Sequence, residues 1–243
     1  METIKRFDLS GRVAVITGGA GLLGKEHATV IAEAGGIPIL ADVRREDAQK
    51  AAQEVSEKFQ VPALGVGVDI TNKKEVEQLL EKLIEKFQRV DILINNAAND
   101  PKVGGENQNS DWSRFENFSL EMWEKDLAVG LTGSFICSQV LGSHMAKQGS
   151  GVILNISSDL GIVGPDQRLY EIEGRSPEEQ PVKPVTYSVV KTGIIGLTRY
   201  LATYWASCGV RVNALCPGGI DADQSLEFKE RVHSRIPMGR MAR

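Results

Sequence analysis

The chain has 243 residues, 42% apolar and 25% charged, and this ordinary globular composition excludes disordered and fibrous classes. Its 28 Lys and Arg against 32 Asp and Glu give a net charge of −4, which offers no electrostatic footprint for nucleic acid or an anionic membrane. No apolar run approaches the ~20 residues that span a bilayer, and residues 1–12 lack the apolar core of a signal peptide. We therefore expect a cytoplasmic protein that binds a small molecule and neither nucleic acid nor a membrane.

Short apolar runs alternate with helical patterns along the chain. Strands are predicted over 13–17, 37–41, 63–68, 92–94, 152–156 and 210–215. Helices are predicted over 22–34, 46–59, 120–145 and 185–207, and another follows a cap at Thr71 or Asn72 and ends near Phe87. This alternation predicts one domain over 1–243, a Rossmann-type, doubly wound α/β fold with helices on both faces of a parallel sheet.

Two irregular segments interrupt the alternation, a polar stretch over 98–118 and a proline-containing stretch over 159–184. Both follow predicted strands at the carboxyl edge of the sheet, where ligands bind in open α/β folds. Long loops in compact domains usually serve as lids or binding loops. The cysteines, Cys137, Cys208 and Cys216, lack metal-ligand spacing and are expected to be buried thiols, so no metal site is predicted.

A glycine-rich turn joins the first strand to the first helix, where Gly19, Gly21 and Gly24 satisfy G-x-G-x-x-G. Such glycines permit a tight turn and close approach of a pyrophosphate, and the helix N-terminus supplies amide donors. Asp42 ends the second strand 18 residues beyond Gly24, near the ~20 expected for a carboxylate that binds ribose hydroxyls and repels a 2′-phosphate. The pattern predicts NAD in preference to NADP.

Three charged residues near this turn each allow two interpretations. Arg44 and Arg45 would meet a 2′-phosphate if their loop turned back, but we favour a solvated helix start for both. Asp69 ends the third strand and is expected either to bind the adenine amino group or to cap the next helix.

Tyr187 and Lys191 are four residues apart at the start of a predicted helix and share one face. A free tyrosine has a pKa of ~10, and a neighbouring cation lowers that value. Alone, this pair is a weak signal, but it stands in a series of motifs that follow the order of one family. The other motifs are the glycine turn, Asn95-Asn96-Ala97-Ala98, Asn155-Ile156-Ser157-Ser158 and Pro217-Gly218-Gly219-Ile220. On these motifs, the sequence resembles the classical short-chain dehydrogenases/reductases over about 9–241.

The resemblance implies a catalytic set in which Tyr187 is the general acid/base, Ser158 binds the substrate oxygen, and Lys191 holds the nicotinamide ribose and lowers the tyrosine pKa. It implies an oxidoreductase that moves a hydride between nicotinamide C4 and a secondary alcohol or ketone, assembled as a homodimer or homotetramer. The full predicted cofactor set is Gly18, Gly21, Leu22, Leu23, Gly24, Asp42, Asp69, Ile70, Asn96, Ala97, Ala98, Tyr187, Lys191, Pro217, Gly218 and Ile220.

Four features depart from the classical pattern of this family. The turn reads T-G-x-x-G-x-x-G, which is the pattern of the family's extended branch. Gly130 stands where classical members have a catalytic asparagine, although a glycine still allows a kink and its carbonyl can hold a water. Ser158 and Tyr187 are 29 residues apart, about twice the family's usual spacing, so 165–184 is predicted to be an inserted substrate loop. The sequence stops at Arg243, before the family's last helix, seventh strand and tail, so the C-terminal strand is expected to be missing.

The polar side chains of 165–184 favour a sugar- or polyol-like substrate, although a solvated loop explains them equally well. Arg168 is the predicted substrate contact beside Ser158 and Tyr187, because its planar guanidinium binds a carboxylate, phosphate or diol through two bonds. Two other functions stay open at this point. The glycine pattern favours a nucleotide-sugar epimerase or dehydratase, and Gly130 is compatible with an NAD-sensing protein that lacks catalysis.

Overall fold

The computed structural model describes residues 6–99, 111–222 and 224–242. Their strands are β1 Val13–Thr17, β2 Ile37–Asp42, β3 Leu64–Gly67, β4 Ile92–Asn95, β5 Gly151–Ile156 and β6 Val210–Leu215. The strands form one parallel sheet in the order β3-β2-β1-β4-β5-β6. This order is that of the doubly wound dinucleotide-binding fold, so the predicted fold class is confirmed.

Five of the six helices in the described residues lie where the sequence predicts them, and the sixth, Leu226–His233, was not predicted. The helices are α1 Leu22–Glu33, α2 Arg45–Phe59, α3 Lys73–Phe87, α4 over 120–148, α5 Val185–Tyr204 and α6 Leu226–His233. Asn72 is the cap of α3, because its side chain accepts a hydrogen bond from the Lys74 amide at 3.1 Å. In the predicted loop over 98–118, residues 100–110 lie outside the described residues, and the turns Asp111–Ser113 and Phe115–Asn117 are 3₁₀-helical.

Helix α4 differs from the uninterrupted helix that the sequence predicts. Two π-helical turns, Ala128–Thr132 and Ser138–Gly142, break its α-helical hydrogen bonding. Each π turn adds a residue to the helical repeat and rotates the side chains that follow it. The first π turn contains Gly130. The backbone therefore departs from α-helical geometry at the same position at which the sequence departs from the family pattern.

Alternating strand residues build a core on each face of the sheet. On one face, Val13 and Val15 pack with apolar residues of α3, α4 and α5; on the other, Ile16 packs with alanines of α1 and α2. Cys137 lies in the first core, where burial raises the pKa of its thiol to about 12. The prediction of buried thiols is wrong for Cys208 and Cys216, which are half-buried.

The amino edge of the sheet carries a buried ionic cluster around Asp91, which is 4% exposed. Its carboxylate accepts hydrogen bonds from the Val13 amide at 2.9 Å, from Arg12 at 2.9 Å, and from Arg89 Nε at 2.8 Å. Burial alone would raise the pKa of Asp91, but the hydrogen bonds from Arg89, Val13 and Arg12 outweigh burial and lower it. Asp91 thereby binds β4 to the residues that lead into β1.

Over 6–99, 111–222 and 224–242, no helix is both long and apolar enough to cross a membrane. Within the same ranges, no three His, Cys, Asp or Glu side chains are grouped as metal ligands would be.

Candidate active site

The carboxyl ends of the strands border a cavity of about 820 Å³, within the usual range for small-molecule sites. Residues from the loops after all six strands line it, together with residues of α4, α5 and α6. The predicted site residues that line it are Gly18, Gly21, Leu22, Leu23, Asp42, Asp69, Ile70, Asn96, Ala97, Ala98, Ser158, Tyr187, Lys191, Pro217, Gly218 and Ile220. The structure does not bring the other two predicted residues, Gly24 and Arg168, to the cavity wall.

The glycine turn is shaped by close approaches of the backbone. Gly18 has a φ of +63°, a region that favours glycine, and a Cβ there would lie 3.0 Å from the Ala97 Cα. A Cβ at Gly24 would lie 2.2 Å from the Gly18 carbonyl oxygen, so Gly24 serves the packing of α1 against the turn. Leu22 and Leu23 open α1 at the cavity wall, where the amides of a helix N-terminus favour an anion.

Thr17 and Asn96 join the glycine turn to the loop after β4. The amides of Asn96 and Ala97 each donate to Thr17 Oγ1 at 3.0 Å. Asn96 Nδ2 donates to the carbonyl oxygens of Thr17 at 2.9 Å and Gly18 at 3.2 Å. Asn96 therefore orders the cofactor side of the cavity through its side chain. The sequence motif did not predict this role.

Asp42 ends β2 at the cavity wall and is 6% exposed. Its Oδ2 accepts from the Ala20 amide at 3.1 Å, which ties β2 to the glycine turn. Its Oδ1 accepts from the Arg44 amide at 3.0 Å and from Arg44 Nε at 3.4 Å. Arg44 also lines the cavity and pairs with Asp47 at 3.3 Å, whereas Arg45 is not part of the wall. The predicted solvated helix start therefore fits Arg45 better than Arg44.

Asp69 has two roles, one in the turn that leads into α3 and one at the wall of the cavity. Its Oδ1 accepts from the Thr71 amide at 2.9 Å and from the Thr71 hydroxyl at 2.7 Å, which orders the turn into α3. The carboxylate also lines the cavity. The capping task itself belongs to Asn72, and the adenine contact of Asp69 stays a prediction.

Tyr187 and Lys191 lie in the first turns of α5 and line the cavity together with Ser158. Lys191 is 7% exposed, its Nζ donates to the Ile156 carbonyl at 2.9 Å, and this Nζ lies 5.6 Å from the centroid of the Tyr187 ring. Ser157 Oγ donates to the Lys191 carbonyl at 2.7 Å. The end of β5 and the start of α5 are thus bonded to each other, which brings the three predicted catalytic residues to one site.

Ser158 is 4% exposed and sits at the turn after β5. Its Oγ donates to Asp159 Oδ1 at 2.8 Å and accepts from the Leu160 amide at 3.2 Å. These bonds hold the hydroxyl in one orientation at the wall. A substrate oxygen that accepts the Ser158 proton must replace Asp159 as its partner.

The inserted loop turns Arg168 away from the cavity and its neighbours Leu169 and Tyr170 towards it. Arg168 is 70% exposed at its side chain and binds Asp166 through two bonds of 2.8 and 2.9 Å. Its neighbours Leu169 and Tyr170 line the cavity instead. The Tyr170 ring packs 5.6 Å from the Phe228 ring of α6. The side chains that face the cavity are therefore less polar than the composition of the loop suggests.

Several wall residues were not identified from the sequence, among them Lys183, Lys125 and Tyr170. Lys183 Nζ lies 3.8 Å from the centroid of the Tyr187 ring, within cation–π range. Its nearness to Tyr187 in sequence was an available signal, although Lys183 lies outside α5, which begins at Val185. Tyr170 and Lys125 offered no comparable signal, since their orientation depends on how the inserted loop and α4 pack.

Comparison with known proteins agrees with this geometry. A model described as short chain dehydrogenase matches residues 12–170, and one described as Enoyl-(Acyl carrier protein) reductase matches residues 178–243. The 3-oxoacyl-[acyl-carrier-protein] reductase of Aquifex aeolicus is 33% identical over 96% of this chain and 85% of its own length. The NADP-dependent mannitol dehydrogenase of Alternaria alternata is 31% identical over 98% of this chain and 82% of its own length.

A solved NAD⁺-bound xylitol dehydrogenase has the same fold, with a TM-score of 0.80 at 23% identity, covering 96% of this chain and 88% of that one. Residues 171–177, which belong to neither match, fall inside the segment 165–184 that is predicted to be an insertion. The chain belongs to the classical short-chain dehydrogenases/reductases and is an oxidoreductase of that family, which acts on alcohol and ketone groups.

Proposed function

We propose that this protein is an NAD-dependent dehydrogenase/reductase of a sugar- or polyol-like secondary alcohol and its ketone. The observation that carries the proposal is the arrangement of Ser158, Tyr187 and Lys191 around the cavity that the glycine turn closes at its other end. A hydroxyl, a phenol and a buried cation at one wall are the groups that a proton transfer to or from a substrate oxygen requires.

The residues on the cofactor side fit a dinucleotide. Gly18 and Gly21 line the cavity and α1 begins directly after them, the setting in which a glycine turn and a helix N-terminus bind a pyrophosphate. Gly19 packs the turn against β2, since a Cβ there would lie 2.7 Å from the Leu40 Cα. Asp42 supports NAD, because its carboxylate accepts hydrogen bonds from ribose hydroxyls and repels a 2′-phosphate. Arg44 at the same wall supports NADP, so the preference for NAD depends on which of these two charges dominates.

The residues of this chain handle the proton and orient the substrate. The nicotinamide cofactor, when bound, supplies the hydride acceptor or donor. Tyr187 gives its phenol proton to the substrate oxygen during reduction and takes it back during oxidation. Positive charge on Lys191 and Lys183 stabilises the negative charge that develops on the phenol oxygen. Ser158 donates a hydrogen bond to the same substrate oxygen.

A polyol-like substrate is supported by two observations. The mannitol dehydrogenase of Alternaria alternata is one of the relatives at 31% identity. The cavity wall near Tyr187 also carries polar groups that bind hydroxyls, namely Asn99, Lys125, Asp159 and Lys183. Assembly as a homodimer or homotetramer and a cytoplasmic location stay predictions.

The test is production of NADH absorbance by the purified protein with a panel of sugar alcohols and secondary alcohols, run in parallel with NADP. Oxidation of polyols with NAD, abolished in Tyr187→Phe, is the expected result. Faster turnover of apolar secondary alcohols than of polyols would contradict the substrate class, and no turnover with either cofactor would contradict the enzyme.

A further inference from the structure

Helix α4 has no room for a side chain at position 130. Gly130 lies in the π-helical turn Ala128–Thr132, and its carbonyl accepts from Ser134 Oγ at 3.0 Å. A Cβ at Gly130 would lie 2.5 Å from Val190 Cγ1. Val190 belongs to α5 and stands one residue before Lys191, so an asparagine at 130 fits only if the Val190 side chain moves.

One helical turn before Gly130, Asp126 is buried and hydrogen-bonded through both carboxylate oxygens. Asp126 is 4% exposed. Its Oδ1 accepts from Asn99 Nδ2 at 2.6 Å, and its Oδ2 accepts from the Thr186 hydroxyl at 2.5 Å. A buried carboxylate is costly unless such bonds compensate its lost hydration, and bonds to a charged acceptor are stronger than neutral ones. This carboxylate therefore fixes both of its partners.

The two partners of Asp126 lie on either side of the catalytic tyrosine. Thr186 is 1% exposed and immediately precedes Tyr187, while Asn99 follows Ala98 and itself lines the main cavity. Asp126, Gly130, Tyr187 and Lys191 also line a separate cavity of about 10 Å³, which is the space that roughly one water needs. Asp126 thus contacts the immediate surroundings of Tyr187 without reaching the main cavity.

We propose that Asp126 is a positioning residue for Tyr187. Its carboxylate orders the start of α5, which carries Tyr187, in a chain that has no side chain at position 130. The proposal rests on the proposed function, because it takes Tyr187 as the proton donor. By anchoring Thr186, the carboxylate fixes the first turn of α5 and with it the direction of the phenol. The cofactor walls after β1 and β2 do not contact this anchor, so its loss is expected to lower turnover more than cofactor affinity.

The central experiment compares three variants. Asp126→Leu removes the acceptor at similar volume, Asp126→Asn keeps an acceptor for the Thr186 hydroxyl, and Asp91→Asn is the matched control, since Asp91 is also 4% exposed but lies at the opposite edge. We expect Asp126→Leu to lower kcat about 10- to 100-fold, the scale on which ~1 Å of misplacement acts. The NADH dissociation constant stays within about twofold of wild type, and Asp126→Asn recovers most of kcat. Asp91→Asn leaves kcat unchanged.

A second variant tests the contact from its other side. Thr186→Val removes the hydroxyl and nearly preserves the shape of the side chain. It is expected to lower kcat to a similar extent as Asp126→Leu, and the double variant Asp126→Leu/Thr186→Val is expected to lose no more than either single one, because both changes break the same bond. Additive losses would overturn the coupling of Asp126 to Tyr187 through Thr186.

Amide hydrogen exchange over 184–191 supplies a readout that needs no substrate. Asp126→Leu is expected to accelerate exchange there and Asp91→Asn is not, since loss of a local anchor favours local opening. An unchanged kcat in a folded Asp126→Leu, or unchanged exchange over 184–191, overturns the proposal. If Tyr187→Phe keeps its turnover, or wild type turns over no substrate, the proposed function is wrong, and the exchange data still decide whether Asp126 orders this segment.

Discussion

The two edges of the sheet use buried charge in opposite ways. At the amino edge, the Asp91 carboxylate is surrounded by donors from Arg12, Arg89 and the Val13 amide. At the carboxyl edge, Asp42, Ser158 and Lys191 are equally buried but line a cavity of about 820 Å³. Asp42, Ser158 and Lys191 also bond to protein groups, but they stand at the wall of a cavity that a ligand can enter, whereas Asp91 does not line it. The difference separates polar residues that stabilise the fold from those that serve chemistry.

At the carboxyl edge of the sheet, Tyr187→Phe is the change with the largest expected effect. It removes the phenol proton while the ring still packs, so turnover should fall by roughly 10²–10⁴, the scale of general acid/base catalysis. The NADH dissociation constant and the unfolding midpoint should be nearly unchanged. Steady-state kinetics together with NADH fluorescence titration measure both quantities. Full turnover in the variant would show that Tyr187 has been assigned the wrong role.

At the amino edge of the sheet, the corresponding change is Asp91→Asn. The neutral amide weakens the bonds from the Val13 amide and from two guanidinium groups that are themselves half-exposed, so the free energy of unfolding should fall by about 1–3 kcal/mol while kcat is retained. Because the pKa of Asp91 is lowered in the folded state, its contribution is complete above the unfolded pKa of ~3.9 and disappears as the pH falls through the folded pKa. Urea unfolding of both proteins at pH 7 and below pH 4 measures this; an equal difference at both pH values would contradict it.

The sequence predicts the scaffold well because strands buried on both faces are nearly uniform apolar runs. Val13–Thr17 and Val210–Leu215 are observed as predicted. The glycine turn and Asp42 are also predictable, since their roles depend on local backbone shape and on where a strand ends. These features are local, and the residues themselves carry the information.

Features that depend on packing between distant segments were not predictable. The π turn at Gly130 packs closely against Val190, 60 residues away in sequence. Asp126 has the appearance of a surface residue, because aspartates are seldom buried unless paired, and its partners come from two other segments. For the inserted loop, composition indicates polarity but not which side chains face the cavity, so the sequence selected Arg168 where the structure turns Leu169 and Tyr170 inward.

Asp42→Ala tests whether the negative charge of Asp42 or the positive charge of Arg44 selects the cofactor at the carboxyl edge of the sheet. If the carboxylate sets the preference, its removal should reduce discrimination against NADP by ~1–3 kcal/mol. Affinity for NAD should also fall, because the Ala20 amide loses its acceptor. Arg44→Ala is the matched control: it should leave NAD binding intact and weaken NADP binding. Dissociation constants of both cofactors measure this, and a wild type that prefers NADP would assign the dominant role to Arg44.

The smallest expected effect concerns the inserted loop. For Tyr170→Ala and Arg168→Ala, the structure and the sequence predict opposite effects on KM. Tyr170 lines the cavity against Phe228, so its loss should raise KM up to about tenfold, or ~1.4 kcal/mol, with cofactor affinity unchanged. Arg168 is 70% exposed and bonded to Asp166, and exposed pairs of this kind contribute ~0–1 kcal/mol, so its loss should hardly change KM. Both variants are assayed on the same substrate. A larger KM change in Arg168→Ala would mean that the loop reorganises on substrate binding and would restore the contact that the sequence predicts.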